Sequence, residues 1–122
     1  VTAAFADTLV VFRGGGDLAT GAAWRLKRAG FPLVVCELQR PLTVRRSVAF
    51  STAVHEGSVV VEGVRGIRAT LAEAQALAAT ETVPVVVSPE LPPLPAKVIV
   101  DARMAKSALD TTIDDAPLVV AL

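Results

Sequence analysis

Three consecutive glycines, Gly14, Gly15 and Gly16, followed by Asp17, Leu18, Ala19 and Thr20, are the residues of this chain best suited to hold a phosphate-bearing ligand. They contain Gly14-x-Gly16-x-x-Ala19, which matches the G-x-G-x-x-G/A pattern of dinucleotide-binding turns. Each small residue has a physical task there. The first glycine makes the tight turn, and the second lets a pyrophosphate reach the backbone with no Cβ in the way. Ala19 is small enough for the following helix to pack closely on its strand. That helix also offers unpaired N–H groups and the positive end of its dipole to an anion. Glu37 ends the next apolar run, about 20 residues beyond the glycines, where an acid in such folds accepts hydrogen bonds from ribose hydroxyls. Arg40, close behind it, suits a 2′-phosphate instead, so the nucleotide stays open between NAD and NADP types.

The other charged groups are ambiguous in instructive ways. Asp17 is expected to be the helix N-cap. Its charge would repel a phosphate unless the side chain turns back onto N–H groups, or Arg13, Arg45, Arg46 or a bound Mg²⁺ offsets it. Arg45 and Arg46 suit a second anion clamp, since guanidinium forks match phosphate oxygens, but two adjacent arginines also serve as a solvated surface. Asp101, Arg103 and Lys106 follow a predicted strand and fall at the carboxyl edge where ligands bind in open α/β sheets. Asp114-Asp115 reads better as a turn than as a metal site. His55 is the only histidine and Cys36 the only cysteine. A metal site built from several histidines or cysteines is therefore excluded. His55 is expected at or near the surface, and Cys36 buried as a small hydrophobe.

The elements that must position these groups can be read from the apolar pattern. Leu9 to Phe12 is a strand ending in the glycines; Leu18, Ala22, Leu26 and Ala29 fall at helical spacing, with Gly30 placed to terminate. Leu33 to Glu37 is a second buried strand, completing a βαβ unit. Val48 to His55 predicts a short helix, and Ser58 to Arg68 a β-hairpin turning at Glu62-Gly63. Thr70 and Glu73 form a candidate capping box for a helix to about Ala79. Val83 to Ser88, Lys97 to Asp101 and Pro117 to Leu122 complete the predicted strands, with Ala102 to Leu109 helical between the last two. Pro89, Pro92, Pro93 and Pro95 impose an irregular connection. The expected architecture is α/β: a Rossmann-like three-layer fold with a mostly parallel sheet and a β-hairpin insertion.

Length and composition set the limits. With 122 residues the chain is expected to be a single nucleotide-binding-like domain, spanning 1–122. Twelve basic and twelve acidic side chains cancel, which argues against nucleic-acid or anionic-membrane partners. No apolar run is long enough to span a bilayer. With a lone cysteine and no signal peptide apparent, a cytoplasmic location is expected.

The motifs around these residues carry a resemblance. Val11 to Gly21 (VFRGGGDLATG), Arg40 to Phe50 (RPLTVRRSVAF), Ala53 to Gly57, Val61 to Val64, Val100 to Lys106 and Thr111 to Val119 resemble, in order, the YqeB-like accessory proteins of selenium-dependent molybdenum hydroxylase systems. The resemblance implies a role in maturing xanthine-dehydrogenase-like molybdenum enzymes, by handling or sulfurating the molybdenum cofactor. Family members are longer, and an aromatic such as Tyr is expected where this chain has His55. The resemblance assigns no catalytic residues. It makes a molybdopterin-type cofactor the expected ligand and a molybdenum hydroxylase the expected partner, with a homo-oligomer as a further option. Two other readings stand beside it: an NAD(P)-dependent oxidoreductase, and a nucleotide-sensing interaction module. The first lacks any visible Tyr-Lys or His-Asp proton-transfer pair.

Overall fold

Parallel strands buried on both faces need near-continuous apolar runs and helices to cover them. The computed structural model, which describes residues 5–41, 43, 45–103 and 110–122 (Arg46 by its backbone alone), has this arrangement. In chain order, the first half comprises β1 (Val10–Arg13), α1 (Asp17–Ala29), β2 (Leu33–Glu37), 3-10 turns at Arg46–Val48 and Phe50–Thr52, and α2 (Ala53–Glu56). The second half comprises β3 (Ser58–Val61), β4 (Val64–Arg68), α3 (Leu71–Ala78), β5 (Val83–Val87), β6 (Val98–Asp101) and β7 (Leu118–Ala121). The strands form one sheet in the order β3-β4-β5-β2-β1-β6-β7. Every neighbouring pair is parallel except the β3–β4 hairpin. This is an α/β, Rossmann-like fold.

Alternation along the strands divides the core between the two faces of the sheet. Val10, Phe12, Leu33, Val35, Val83 and Val85 pack with Ala19 and Ala23 of α1 and with Phe50, Ala53 and Val54. Val11, Val34, Cys36, Val86 and Ile99 pack on the other side against Ala74 and Ala78 of α3. Leu91, Leu94 and Ala96 of the proline-rich connection close over that second face. The helical layer expected over Val48 to His55 is present as the two 3-10 turns and α2, with Phe50 fully buried beneath it.

Local chemistry explains the boundaries. Lys27 and Arg28 occupy the last turn of α1, favourable at the negative end of its dipole, and Gly30 closes the helix in a left-handed conformation at φ 105°. The hairpin turns at Glu62 and Gly63, which both adopt positive φ (47° and 81°), the geometry of a two-residue turn that follows strand twist. At α3, the Thr70 hydroxyl accepts from the Glu73 N–H while Glu73 Oε1 accepts from the Thr70 N–H at 2.9 Å, the reciprocal capping box. The helix expected over Ala102 to Leu109 lies largely outside the described residues; Ala102 and Arg103 themselves are not helical.

Candidate functional site

The strand order creates one place where the chain runs off in both directions. From β1 the sheet is extended through β2 on one side and through β6 on the other, so the carboxyl ends of β1 and β6 flank a topological switch point. In open α/β sheets ligands bind in the crevice at that point. Arg13, Gly14, Asp101 and Ala102 meet there: Arg13 pairs in register with Asp101, and the Ala102 N–H donates to the Arg13 carbonyl at 2.9 Å.

The three glycines are glycines for different reasons. Gly14 sits at φ +104°, and a Cβ there would stand 3.0 Å from the Ala102 carbonyl oxygen. Gly15 is buried, and a Cβ on it would fall 2.7 Å from Val35 Cγ1 and 3.3 Å from the Ser51 nitrogen. Its carbonyl accepts from the Ser51 N–H (2.9 Å) and the Thr20 hydroxyl (3.2 Å). The fold alone accounts for both. Gly16 differs: its φ is −67°, and a Cβ there would meet nothing within 4 Å. The packing therefore leaves its side-chain position open, at the N-cap of a 13-residue helix.

This placement corrects the expected cap. Gly16, not Asp17, is the N-cap of α1, and Asp17 is the first helical residue. A glycine can hold the extended cap conformation, so the carboxylate moves into the first turn, where it still favours the positive end of the dipole. Asp17 Oδ2 accepts from Arg45 Nε at 2.9 Å. That guanidinium, helped by the N–H groups of Asp17 and Leu18, holds the carboxyl below its ordinary range despite some desolvation. Arg45 is thus a neutralising partner for Asp17. Thr20, buried in the same helix, links layers: its hydroxyl accepts from the Phe50 N–H at 2.9 Å.

Glu37 lies at the end of β2 and reaches the glycine turn. Its Oε1 accepts from the Gly15 N–H at 2.7 Å and its Oε2 from the Leu38 N–H at 2.8 Å. One donor of the turn is therefore already engaged, and the carboxylate is fixed against Gly15 with lone pairs to spare. Leu18 and Leu38 are exposed.

Asp101 and Arg103 form a second constellation. Arg103 Nε and Nη2 donate to the two oxygens of Asp101 at 3.0 and 2.6 Å, and the Thr111 hydroxyl donates to Asp101 Oδ2 at 2.7 Å. The arginine lowers the Asp101 pKa to about 2 against the cost of burial. The third member is Arg13, offered by the sequence only as a counter-charge for Asp17: only 3% exposed, it makes a salt bridge to Asp110 and hydrogen-bonds Thr111 and the Pro89 carbonyl. An arginine at the end of an apolar run was the available signal.

Arg40 is exposed, with no partner among the described residues. The Arg46 side chain and Lys106 lie outside what is described. His55 is exposed, and Asp115 accepts from the Thr112 N–H and hydroxyl in a turn. Cys36 is buried among apolar neighbours, which pushes its thiol up to about 12 and keeps it protonated. Among the described residues, no group of three His, Cys, Asp or Glu side chains is arranged to hold a metal ion. No described helix is long and apolar enough to cross a membrane.

Comparison with known proteins gives one relative to report. The chain is similar to YqeB of Escherichia coli. It is 45% identical to that protein, described as "Uncharacterized protein YqeB" (strain K12), over 121 residues, covering 93% of this chain and 22% of the relative. The chain thus spans about a fifth of the length of the curated relative it matches. No family model and no solved structure matches it.

Proposed function

We propose that this chain binds a nucleotide or other pyrophosphate-containing cofactor at the glycine turn and serves as an accessory unit in maturing a molybdenum hydroxylase. Gly16 carries the binding half of the reading. It is open where a Cβ would stand, needs no special backbone angle, and lies at a helix N-terminus beside the switch-point crevice. Absence of a Cβ at such a position favours close approach of an anion to the backbone. Glu37, fixed by Gly15 and Leu38, is positioned to accept from ribose or other ligand hydroxyls. The molybdenum half rests on the motif resemblance, and a molybdopterin dinucleotide supplies the required pyrophosphate.

The test is binding. Pyrophosphate-containing nucleotides and molybdopterin cofactors are titrated against the wild-type chain and Gly16→Val, and any ligand released by heat is identified by mass spectrometry. The variant should fold and lose at least tenfold in affinity. Unchanged binding in Gly16→Val would make the turn a packing device. Release of NADP together with hydride transfer to a substrate would replace the accessory reading with an oxidoreductase. Ligand-dependent capture of a molybdenum hydroxylase supports the maturation role.

A further inference from the structure

We infer that Arg13 and Arg103 form a second oxyanion-binding site at the carboxyl edge of the sheet, held in this conformation by the chain's own Asp110 carboxylate. The arrangement is a guanidinium pair converging on one acid. Arg13 Nη1 lies 2.9 Å from Asp110 Oδ1 and Nη2 donates to Oδ2 at 3.1 Å, a two-pronged grip; Arg103 Nη1 adds a contact to Oδ1 at 3.1 Å. Three donors on one planar anion is the geometry by which arginines take phosphate or carboxylate oxygens.

The asymmetry of burial identifies the replaceable member. Arg13 is 3% exposed, whereas the Asp110 side chain is 58% exposed. An exposed carboxylate can return to water at small cost, but a buried guanidinium stripped of its anion cannot. The other acid of the cluster does not compete for this role. Asp101 is buried and accepts from the Nε, Nη2 and backbone N–H of Arg103 and from the Thr111 hydroxyl. With Asp101 committed, withdrawal of Asp110 leaves one net positive charge, matched to a compact oxyanion. Arg13 is already oriented without Asp110, through Thr111 Oγ1 at 2.9 Å and the Pro89 carbonyl at 3.2 Å. By strand alternation Arg13 and Asp101 fall on the sheet face opposite α1, whereas the glycine turn opens at the N-terminus of α1.

The decisive experiment removes the internal competitor. Inorganic phosphate and acetate are titrated by calorimetry, at matched ionic strength, into the wild-type chain, Asp110→Asn, and Asp110→Asn with Arg103→Gln. Asp110→Asn should bind phosphate, acetate or both at least tenfold more tightly than wild type, and the added Arg103→Gln should abolish the gain. The ratio of the two anions then distinguishes a phosphate site from a carboxylate site. No gain for either anion, or a gain that survives Arg103→Gln, overturns the inference. Should Asp110→Asn not fold alone, refolding on addition of phosphate or acetate, but not of sodium chloride, supports the site, and failure to refold overturns it. Repeating the titration in Gly16→Val separates this result from the turn: a phosphate gain that persists there belongs to the arginine pair.

Discussion

Two neighbouring alanine substitutions should differ sharply in their consequences. At Gly15 an alanine Cβ would lie 2.7 Å from Val35 Cγ1, well inside van der Waals contact. Val35 is 1% exposed, and its short branched side chain has no flexible end to swing aside. Gly15 is also tied by its N–H to Glu37 and by its carbonyl to Ser51 and Thr20, so the backbone cannot retreat without loosening all three. Overpacking of this kind costs about 1–3 kcal/mol. At Gly16 the same substitution meets no atom within 4 Å and keeps an ordinary φ. Losing glycine at an N-cap costs roughly 0.5–1 kcal/mol, and the reduced freedom of the unfolded chain returns about 0.4–1 kcal/mol. The net change should lie within about 0.5 kcal/mol. Urea unfolding followed by circular dichroism separates the two cases. Gly15→Ala at wild-type stability, or Gly16→Ala costing as much as Gly15→Ala, would refute the assignment of Gly15 to packing and Gly16 to ligand approach.

Three further outcomes follow from particular contacts. Thr70→Ala removes the capping-box hydroxyl of α3 and should cost about 1 kcal/mol in the same urea assay. Asp101, whose pKa falls from 3.8 unfolded to about 2 because Arg103 and Thr111 bind its charged form, contributes stability that is fully present above pH 4. That contribution, on the order of 2 kcal/mol, is lost as pH drops from 3.8 through 2, and Asp101→Asn should lack this step in an acid-unfolding series. Lys27 is shifted the opposite way for its charged form: burial lowers it from 10.5 to about 8. Between those values the unfolded chain binds more protons, so stability should rise with pH from 8 to 10.5. Lys27→Met should flatten that rise, as measured by unfolding at successive pH values.

Much of the frame was legible because its determinants are local. Leu33 to Glu37 is an uninterrupted apolar run ending in an acid, and β2 has those limits. Gly30, the Glu62-Gly63 turn and the Thr70–Glu73 box act within a few residues of themselves, and each is found where expected. Asp17 was misjudged because a carboxylate outranks glycine as an N-cap in isolation; here Arg45, brought near by the fold, supplies its partner instead. Glu37 was located correctly, but its engagement with the Gly15 N–H depends on how closely the turn approaches β2. The arginine cluster was the least readable part. Arg13 meets Asp110 and Thr111 across nearly the whole chain, and neither spacing nor periodicity encodes a contact of that length.

The position of β1 inside the sheet, between β2 and β6, also has a kinetic consequence. Val10 pairs with Leu33 on one side, one helix further along the chain, but on the other side with Val98, after every other described element except β7. Closing the second pairing requires ordering a far longer loop, so by chain entropy it belongs to the late part of folding. A nascent chain can assemble β1, the glycine turn, α1 and β2 first, with the crevice still lacking its β6 wall. Whatever ligand needs both walls will recognise only the finished molecule, so its binding would report completion of the fold as well as occupancy.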